Sequence, residues 1–269
     1  MIVLPTRRAS HERASVKMDL KAQIDKENLP HHVAMIMDGN GRWAKKKGNA
    51  RIFGHQNGVE SVRQVTEAAR ELGIEYLTLY AFSTENWNRP KSEVDALMGL
   101  LVKTIQNEAE NLNKNNVRLS VIGEISDLPP SVMKPLQSSI DYTAGNTGLN
   151  LVIAVSYSGK WEITTAVKKI IVDVKAGKLD PEDIDDSIFE SYLNTSTIPD
   201  PELLIRTSGE KRISNFMLWK LAYTELYFTP VLWPDFRKEH FYEAILDFQN
   251  RDRRFGRVGN QAKAITVNN

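Results

Sequence analysis

The chain has 269 residues, of which 41% are hydrophobic and 26% are charged, and its net charge is +1, a balance typical of a globular protein with one large α/β domain or two small ones. It contains no cysteine, which excludes disulfides and thiolate metal sites, and its net charge does not indicate a nucleic-acid binder. No apolar run reaches the roughly 20 residues of a membrane span, and the polar N-terminus lacks the apolar centre of a signal peptide. We therefore expect a cytoplasmic protein.

The predicted elements form one domain, because no repeat or low-complexity linker divides the chain. We place this domain at residues 29–256, between a loose, charged N-terminal arm at residues 1–28 and a C-terminal tail at residues 257–269. Apolar runs predict six strands, at residues 32–37, 76–82, 117–122, 149–155, 203–207 and 225–228. A hydrophobic period of 3.6 residues predicts helices at about residues 55–72, from the cap residue Ser92 onward, and at 130–144, 160–174, 181–193 and 238–248.

Apolar strands that alternate with helices indicate the α/β class, with a mostly parallel six-stranded sheet covered by helices on both faces. In such sheets, ligands bind at the carboxyl ends of the strands. Polar segments follow four of the predicted strands, at residue 38 and at residues 83–87, 156–160 and 206–210. Because these segments would meet at one edge of the sheet, we predict a single site there.

The first polar segment begins with Asp38 and contains Gly39 and Gly41, which let backbone N–H groups approach a ligand closely. Residues 39–59 include no acid, and their basic residues are Arg42, Lys45, Lys46, Lys47, Arg51 and His55. This basic window is either a solvated turn or an anion site. The glycines, the helix that starts near His55 and the guanidinium groups favour the binding of phosphate.

A second cationic cluster contains Arg206 and Arg212, with Ser214 nearby. These arginines either form a structural ion pair, with Glu210 or Glu202 as the partner, or bind an anion. Two separate clusters at one sheet edge favour two anionic groups or one long one. Neither cluster has Walker-A spacing, and the glycines of the first segment do not extend into a dinucleotide fingerprint.

Two carboxylates, Asp38 and Glu225, are candidate metal ligands. Glu225 stands in an otherwise apolar and aromatic run, so its side chain is either turned to solvent at a strand edge or held inward for a purpose. Two carboxylates together with diphosphate oxygens would suit Mg²⁺, which prefers oxygen ligands. The apolar face of the helix after Ser92 is either core or the wall of a cavity that opens at the site.

Several motifs resemble the signature of the cis-prenyltransferases, and of the bacterial undecaprenyl diphosphate synthases in particular. They are HVAMIMDGNGRWA at residues 32–44, FGH at 53–55, LTLYAFSTENWNRP at 77–90, GNTGL at 145–149, RTSGE at 206–210, RISNF at 212–216 and WPDF at 233–236. The resemblance implies a parallel α/β fold with an apolar tunnel, homodimers, Mg²⁺ as the cofactor, and sequential cis-addition of isopentenyl diphosphate to farnesyl diphosphate. The expected product is undecaprenyl diphosphate, the precursor of a lipid carrier for cell-wall synthesis.

The resemblance also implies a role for each matching residue. Asp38 would hold the metal and help the diphosphate to leave, Asn86 would be a second catalytic residue, and Glu225 a second metal ligand. The residues that would bind the allylic diphosphate are Gly39, Asn40, Gly41, Arg42, Arg51 and His55. A mobile loop that orders the reacting pair would contain Ser83, Asn86, Trp87 and Arg89. The diphosphate of isopentenyl diphosphate would be held by Arg206, Arg212 and Ser214. The remaining expected substrate contacts are Trp43, Thr84 and Glu85.

Two alternatives stay open, namely a cis-prenyltransferase with another product length and a non-catalytic subunit that binds prenyl diphosphates. The sequence departs from the family pattern at Ser156 and Ser158, where Asn and Gly are expected, and at Ser208, where Gly is common. Dimer contacts are expected at residues 219–233 and 251–256. A lipid product implies at most transient contact with a membrane, and we expect no nucleic-acid partner.

Overall fold

The computed structural model describes residues 19–253. Residues 1–18 of the predicted arm lie outside the described residues, as do the end of the predicted domain at residues 254–256 and the predicted tail at 257–269. The expected dimer contacts at residues 254–256 therefore lie outside as well.

Six strands form one sheet within residues 19–253. They are β1 His32–Ile36, β2 Tyr76–Ser83, β3 Arg118–Ile122, β4 Asn150–Tyr157, β5 Leu203–Arg206 and β6 Glu225–Phe228. The spatial order is β3-β4-β2-β1-β5-β6, and each neighbouring pair is parallel. The predicted six-stranded parallel sheet is thus confirmed. The strand order reverses direction at β1, which has β2 on one side and β5 on the other, and such switch points are where ligands bind in open α/β sheets.

Seven α-helices lie in the same residues. They are α1 Asn40–Lys46, α2 Arg51–Leu72, α3 Lys91–Lys114, α4 Pro130–Thr143, α5 Gly159–Lys175, α6 Asp186–Ser191 and α7 Lys238–Gln249. The predicted cap at Ser92 is wrong, because α3 starts one residue earlier and its N-cap is Pro90. The helix predicted at 181–193 is also shorter than expected. The Asp185 carboxylate accepts the backbone N–H of Ile188 at 2.8 Å and so starts α6 only there.

Helix α1 replaces the open loop that we expected after Asp38. Gly39 has a φ of 108°, a left-handed conformation that side chains disfavour, and its carbonyl accepts the N–H of Trp43 at 2.9 Å. A Cβ atom at Gly39 would also lie 2.9 Å from the side chain of Leu232. The glycine therefore turns the chain sharply from β1 into a short helix packed against a neighbouring loop.

Each face of the sheet packs on a hydrophobic core, and alternate side chains of a strand enter the two cores, since they point to opposite faces. In β1, Val33 and Met35 join the larger core beneath α2, α3, α4 and α7, whereas Ala34 and Ile36 join a smaller core that includes Tyr157. The sheet is therefore a rigid platform, and its carboxyl edge presents the loops that follow β1, β2, β4 and β5.

Residues 19–28, which the sequence assigns to the loose arm, contact the domain. Ile24 is buried in the larger core, and Lys21 pairs with Glu71 of α2 at 2.5 Å. The side-chain amide of Gln249 donates to the carbonyl of Asp25 at 2.6 Å. These contacts hold the segment against α2 and α7. Among residues 19–253, no helix is both long and apolar enough to cross a lipid bilayer.

Candidate functional site

Asp38 and Arg206 meet at the carboxyl ends of β1 and β5, at the switch point of the sheet. Ile36, the last residue of β1, pairs with Arg206, the last residue of β5, so Asp38 lies two residues beyond the end of β1 and next to the end of β5. Arg206 Nη2 donates to Asp38 Oδ2 at 2.9 Å. The Arg206 side chain is only 4% exposed, whereas that of Asp38 is 28% exposed. The carboxylate thus has a buried side, formed by Arg206, and an open side.

Thr207 fixes the backbone of Asp38. The backbone N–H of Asp38 donates to Thr207 Oγ1 at 2.9 Å, and the same hydroxyl donates to the Asp38 carbonyl at 2.6 Å. Thr207 is fully buried, so these bonds are shielded from water. The sequence analysis did not single out Thr207, because its role depends on the pairing of β1 with β5.

Asp38 is ionised in this environment. Burial alone would raise its pKa, but the hydrogen bond from Arg206 and the charges of Arg206 and Arg42 outweigh burial, so the pKa of Asp38 is lowered. Arg42 Nη2 lies 3.2 Å from Asp38 Oδ2. The site therefore presents a carboxylate that two guanidinium groups keep charged.

On the buried side, Arg206 is held by three partners. Besides Asp38, its Nη1 donates to the carbonyl of Arg212 and to Ser214 Oγ, the latter at 2.7 Å. Its Nε is buried and has no partner among the described residues. The ion-pair partner of Arg206 is therefore Asp38, and not Glu210 or Glu202 as one alternative had it. Glu210 instead pairs with Arg212 and with Arg42.

The segment after β5 has an unusual backbone. Ser208, Ser214, Asn215 and Met217 all have positive φ angles, of 75°, 48°, 61° and 41°, which cost about 1 kcal/mol or more each for residues other than glycine. Ser208 accepts two bonds from Arg42, through its carbonyl at 3.1 Å and its hydroxyl at 2.5 Å. The strained segment thereby orients cations from both sides of Asp38. A serine carries no sequence signal of a positive φ, so this role was missed.

On the open side, a cavity of about 290 Å³ lies in front of the basic window. The predicted residues that line it are Asp38, Gly39, Asn40, Gly41, Arg42, Arg51, His55 and Arg89, together with Lys45. Asn40 Oδ1 points away from solvent toward Gly58 of α2, where it is buried without a partner among the described residues. The cavity lies at the N-terminal turn of α2, which contains no acid, and such a turn attracts anions. The arrangement suits a small, multiply charged anion.

His55 is neutral at the boundary of this cavity. Burial and the nearby charges of Arg89 and Arg51 lower its pKa to about 4, although Glu93 opposes them. Glu93 of α3 accepts from Arg89 at 3.0 Å and lies 3.5 Å from Arg51. The two arginines therefore share one carboxylate, which an entering anion would have to replace.

The loop after β2 is anchored at several points. Ser83 and Asn86 form a reciprocal cap on the short helical turn Thr84–Asn88. Trp87 Nε1 donates to Ser156 Oγ at 2.9 Å, and Thr84 Oγ1 donates to Ser158 Oγ at 2.8 Å. Two of the three serines that depart from the family pattern, Ser156 and Ser158, are thus the acceptors that hold this loop.

The anchoring continues from the segment after β5. Asn215 Nδ2 donates to Glu85 Oε1 at 2.7 Å, and Ser156, the acceptor for Trp87, has a φ of 51°. Four loops at the carboxyl edge are therefore connected, as the strand-end pattern predicted. Thr84, Glu85 and Trp87 were expected to contact substrate, and their role as anchors of the loop could not be predicted, because each one acts through a contact distant in sequence.

Two larger cavities extend from Asp38 into the molecule. The first, of about 650 Å³, is lined by Asp38, Arg206, Arg212 and Ser214 at one end and by residues of α2 and α3 at the other. The second, of about 370 Å³, is mostly apolar and reaches between α2, α3 and the sheet. The residues that line both are Met37, Val62, Ala81, Leu101 and Thr104. The helix after Ser92 therefore supplies both core residues and a cavity wall.

The structure separates Glu225 from Asp38. Glu225 is the first residue of β6 and pairs with Leu203, so it lies at the amino end of the sheet, whereas Asp38 follows the carboxyl end of β1. Its carboxylate accepts from Arg251 Nη1 at 2.8 Å. Within one copy of the chain, the prediction that Glu225 and Asp38 share a metal is therefore wrong, because strand register places them at opposite edges.

Trp43 is buried beside the site. Its Nε1 donates to Asp235 Oδ1 at 2.7 Å, and its ring stacks on Phe53 with centroids 5.7 Å apart. These contacts join α1 to α2 and to the loop before α7.

Among residues 19–253, no three His, Cys, Asp or Glu side chains lie together as a metal site would require. Among the residues that the structure describes, Asp38 is the single carboxylate that lines both the anion cavity and the 650 Å³ cavity.

Comparison with known proteins gives one consistent result. The family model described as "Putative undecaprenyl diphosphate synthase" matches residues 36–256. An isoprenyl transferase from Chlorobaculum tepidum is 57% identical over 239 residues, which cover 89% of this chain and 90% of that protein. A ditrans,polycis-undecaprenyl-diphosphate synthase, (2E,6E)-farnesyl-diphosphate specific, from Vibrio vulnificus YJ016 is 50% identical over 244 residues. That match covers 91% of this chain and 97% of the Vibrio protein.

The fold is also found among solved structures. Lavandulyl diphosphate synthase from Lavandula x intermedia, in complex with dimethylallyl diphosphate, superposes with a TM-score of 0.83 at 38% sequence identity. The match covers 86% of this chain and 100% of that one. The ligand bound in that structure is an allylic diphosphate.

Proposed function

The chain belongs to the undecaprenyl diphosphate synthase family of prenyltransferases, and from this premise we propose that it adds isopentenyl diphosphate units to farnesyl diphosphate in cis to give undecaprenyl diphosphate. It is an enzyme of that family. The observation that carries the proposal is the position of Asp38. This ionised acid lies between two separate groups of cations, at the mouth of cavities that become apolar away from it.

This arrangement matches the two substrates. Each carries a diphosphate, and the two cation groups offer each diphosphate a place, the anion cavity for the allylic substrate and Arg206, Arg212 and Ser214 for isopentenyl diphosphate. The apolar walls supplied by α2 and α3 suit a hydrocarbon tail, because apolar pockets bind such groups by removing them from water. We further propose that the 650 and 370 Å³ cavities form one tunnel for the growing chain.

The chemistry requires charge separation. As the allylic C–O bond breaks, negative charge grows on the leaving diphosphate, while the double bond of isopentenyl diphosphate forms the new C–C bond and loss of a proton restores an alkene. Arg42, Arg51 and the N-terminal turn of α2 would stabilise the departing diphosphate, and such fixed charges are usually the largest catalytic contribution. Asn86 and Trp87, on the anchored loop, would align the two reacting carbons.

We propose Mg²⁺ as the cofactor. Mg²⁺ is commonly bound through one or two carboxylates and substrate phosphates, which fits a site where Asp38 alone faces both cavities. When bound, the ion would neutralise charge on the leaving diphosphate. Asp38 would hold it in competition with Arg206 and Arg42, which keep the carboxylate ionised in its absence.

A homodimer is part of the proposal. The edge strand β6 carries exposed apolar side chains at Leu226 and, just before it, Tyr223, within the expected contact region. Because Glu225 lies far from Asp38 in its own chain, a role for Glu225 at a metal would require a second copy. Light scattering at working concentration tests the dimer, and a monomeric mass would contradict it.

We also propose that the enzyme is cytoplasmic and contacts the membrane transiently when the lipid product leaves. Cell fractionation tests this location.

A product assay tests the proposed function. Purified protein with Mg²⁺, farnesyl diphosphate and labelled isopentenyl diphosphate is expected to give a polyprenyl diphosphate that, after dephosphorylation, co-migrates with undecaprenol on reversed-phase chromatography. A product of another length would retain cis-prenyl transfer and correct the chain length. No incorporation would overturn the proposal. Farnesyl diphosphate omitted from the reaction serves as the control.

A further inference from the structure

The gap between α2 and α3 connects the inside of the molecule with its surface. A third cavity, of about 700 Å³, lies in this gap and is lined by α2, α3 and Arg237, without any strand residue. It shares Val59, Leu100 and Thr104 with the 650 Å³ cavity, and Glu60, Arg63 and Thr104 with the 370 Å³ cavity. Thr104 borders all three. The apolar interior therefore has a lateral opening between the two helices.

One ion pair spans this opening. Arg63 of α2 donates from Nε to Glu108 Oε1 of α3 at 2.7 Å, and its Nη2 lies 2.6 Å from the same oxygen. Both residues line the 370 Å³ cavity. Arg63 stands twelve residues after Arg51, which places it about 18 Å further along α2 from the diphosphate end of the site.

The 370 Å³ cavity has both apolar and polar walls. Leu79, Leu101 and Ile105 line it together with Arg63, Glu108 and other polar side chains of α2 and α3, and the Glu108 side chain is only 15% exposed. A growing prenyl chain starts at Asp38 and lengthens away from it. Its tail therefore reaches the level of Arg63 and Glu108 only in the late condensations.

We propose that Arg63 and Glu108 close the lateral opening between α2 and α3 and thereby limit the length of the prenyl chain. This inference rests on the proposed prenyl transfer. The pair determines specificity and touches no reacting atom. While it is closed, the tail is confined to the inner cavities, and further condensation is opposed by crowding. Without it, the tail passes through the opening into the outer groove, and condensation continues.

The pair is suited to this role because it is held without being rigid. Arg63 is 49% exposed and Glu108 is 15% exposed, so the pair is partly open to water and its loss costs less stability than the loss of a fully buried pair. We therefore expect the fold to stay intact when one partner loses its charge, while the attraction that holds the two side chains across the opening is removed. Glu108→Gln keeps the side-chain shape and removes the attraction, whereas Arg63→Gln removes the attraction and also shortens the side chain.

The test compares product lengths for Glu108→Gln and Arg63→Gln with those of the wild-type enzyme, by mass spectrometry of the prenyl products. We expect the main product to lengthen by at least one C5 unit, with total incorporation of isopentenyl diphosphate within about threefold of wild type. The double variant Arg63→Glu, Glu108→Arg should restore the original length, because it rebuilds the pair with reversed charges. Products of unchanged or shorter length in both single variants would overturn the inference.

A matched control lies on the same helix. Glu110 of α3 pairs with Lys114 at 2.7 Å and lines none of the three cavities, so Glu110→Gln should leave product length unchanged. Circular dichroism of each variant confirms folding. A wild-type enzyme without any prenyl product would refute the proposed function itself, whereas wild-type product with unaltered lengths in the variants would refute only the role of Arg63 and Glu108.

Discussion

The two sides of Asp38 are built in opposite ways from the same residue type. On the buried side, Arg206 is 4% exposed and has a carboxylate, a carbonyl and a hydroxyl as fixed partners. On the open side, Arg42 and Arg51 are 45% and 55% exposed, and their additional carboxylate partners, Glu210 and Glu93, lie at 3.1 and 3.5 Å. A buried guanidinium whose Nη1 and Nη2 atoms both have partners holds one geometry, whereas an exposed one exchanges a carboxylate for a diphosphate at little cost.

This difference indicates how the site can bind one substrate repeatedly and release another. The buried side is positioned before any ligand arrives, so isopentenyl diphosphate would find its contacts ready in each cycle. In the proposed function, the open side would release its ion pairs to receive the allylic diphosphate and recover them when diphosphate leaves. Positive φ angles at Ser208 and Ser214 add to the contrast, because the strained segment maintains the buried side.

Asp38→Asn should have the largest effect, because this residue belongs to both sides. The amide keeps the shape of the carboxylate but removes its charge, and it leaves the buried Arg206 without a counter-ion. We expect turnover to fall about 10²–10³-fold, the size typical of a lost electrostatic contact at a reacting group. Steady-state assays with labelled isopentenyl diphosphate measure it. Turnover within tenfold of wild type would remove Asp38 from its proposed role, and Glu110→Gln is the carboxylate control.

Arg206→Lys tests the fixed side. An ammonium group cannot span Asp38, the Arg212 carbonyl and Ser214 at once, and loss of buried, charged hydrogen bonds costs about 1.5–3 kcal/mol. We expect a lower free energy of unfolding by about that amount, together with a KM for isopentenyl diphosphate raised about 10-fold or more. Denaturant melts and initial rates at varied isopentenyl diphosphate measure the two effects.

The control for this variant is Arg118→Lys. Arg118 lies on the edge strand β3, where it donates to the Ala144 carbonyl from an exposed side chain, so both quantities should stay near their wild-type values. If Arg206→Lys raised the KM for farnesyl diphosphate alone, the assignment of the buried side to isopentenyl diphosphate would be wrong.

Arg51→Gln should have a smaller effect, confined to the open side. The exposed ion pair with Glu93 contributes little to stability, so the melting behaviour should not change. We expect the KM for farnesyl diphosphate to rise about tenfold, since one charged contact to a diphosphate is lost, with little change in the KM for isopentenyl diphosphate. Lys46→Gln is the matched control, because Lys46 lies in the same basic window but does not line the anion cavity. Equal effects of both substitutions would indicate general attraction by positive charge.

Much of the site followed from local sequence, and the rest required strand register. Apolar runs located the strands, and the polar residues after them located Asp38 and Arg206, because the ends of parallel strands share an edge. The strand predicted at residues 225–228 already placed Glu225 at the amino end of that strand. This position argues against the assignment of Glu225 as a metal ligand beside Asp38, and the structure corrects that assignment. Thr207 and Ser156 could not be found, since their contacts with residues 38 and 87 span 169 and 69 positions of sequence.

The pKa of His55 is the finest measure of how separate the two sides are. Burial lowers it first, and the charges of Arg89 and Arg51 lower it further, to about 4. Arg51→Gln should therefore raise the pKa of His55, although burial keeps it below 6.5, and Arg206→Lys should leave it unchanged. Titration of the imidazole Hε1 resonance by NMR measures both. If Arg206→Lys shifted the pKa of His55 as far as Arg51→Gln does, the charges on the two sides of Asp38 would be electrostatically coupled and not separate.

The same shift gives His55 a signature in stability. Between pH 6.5 and about 4, the unfolded chain binds a proton at this residue and the folded protein does not, so the contribution of His55 is complete above pH 6.5 and is lost as the pH falls through that window. Arg51→Gln should raise the lower limit of this pH range, because the pKa of His55 in the folded protein moves toward its value in the unfolded chain. Urea melts from pH 7 to 4.5 would show a shallower decline in the variant than in the wild type. An identical decline in both would mean that the charge of Arg51 does not help to keep His55 neutral.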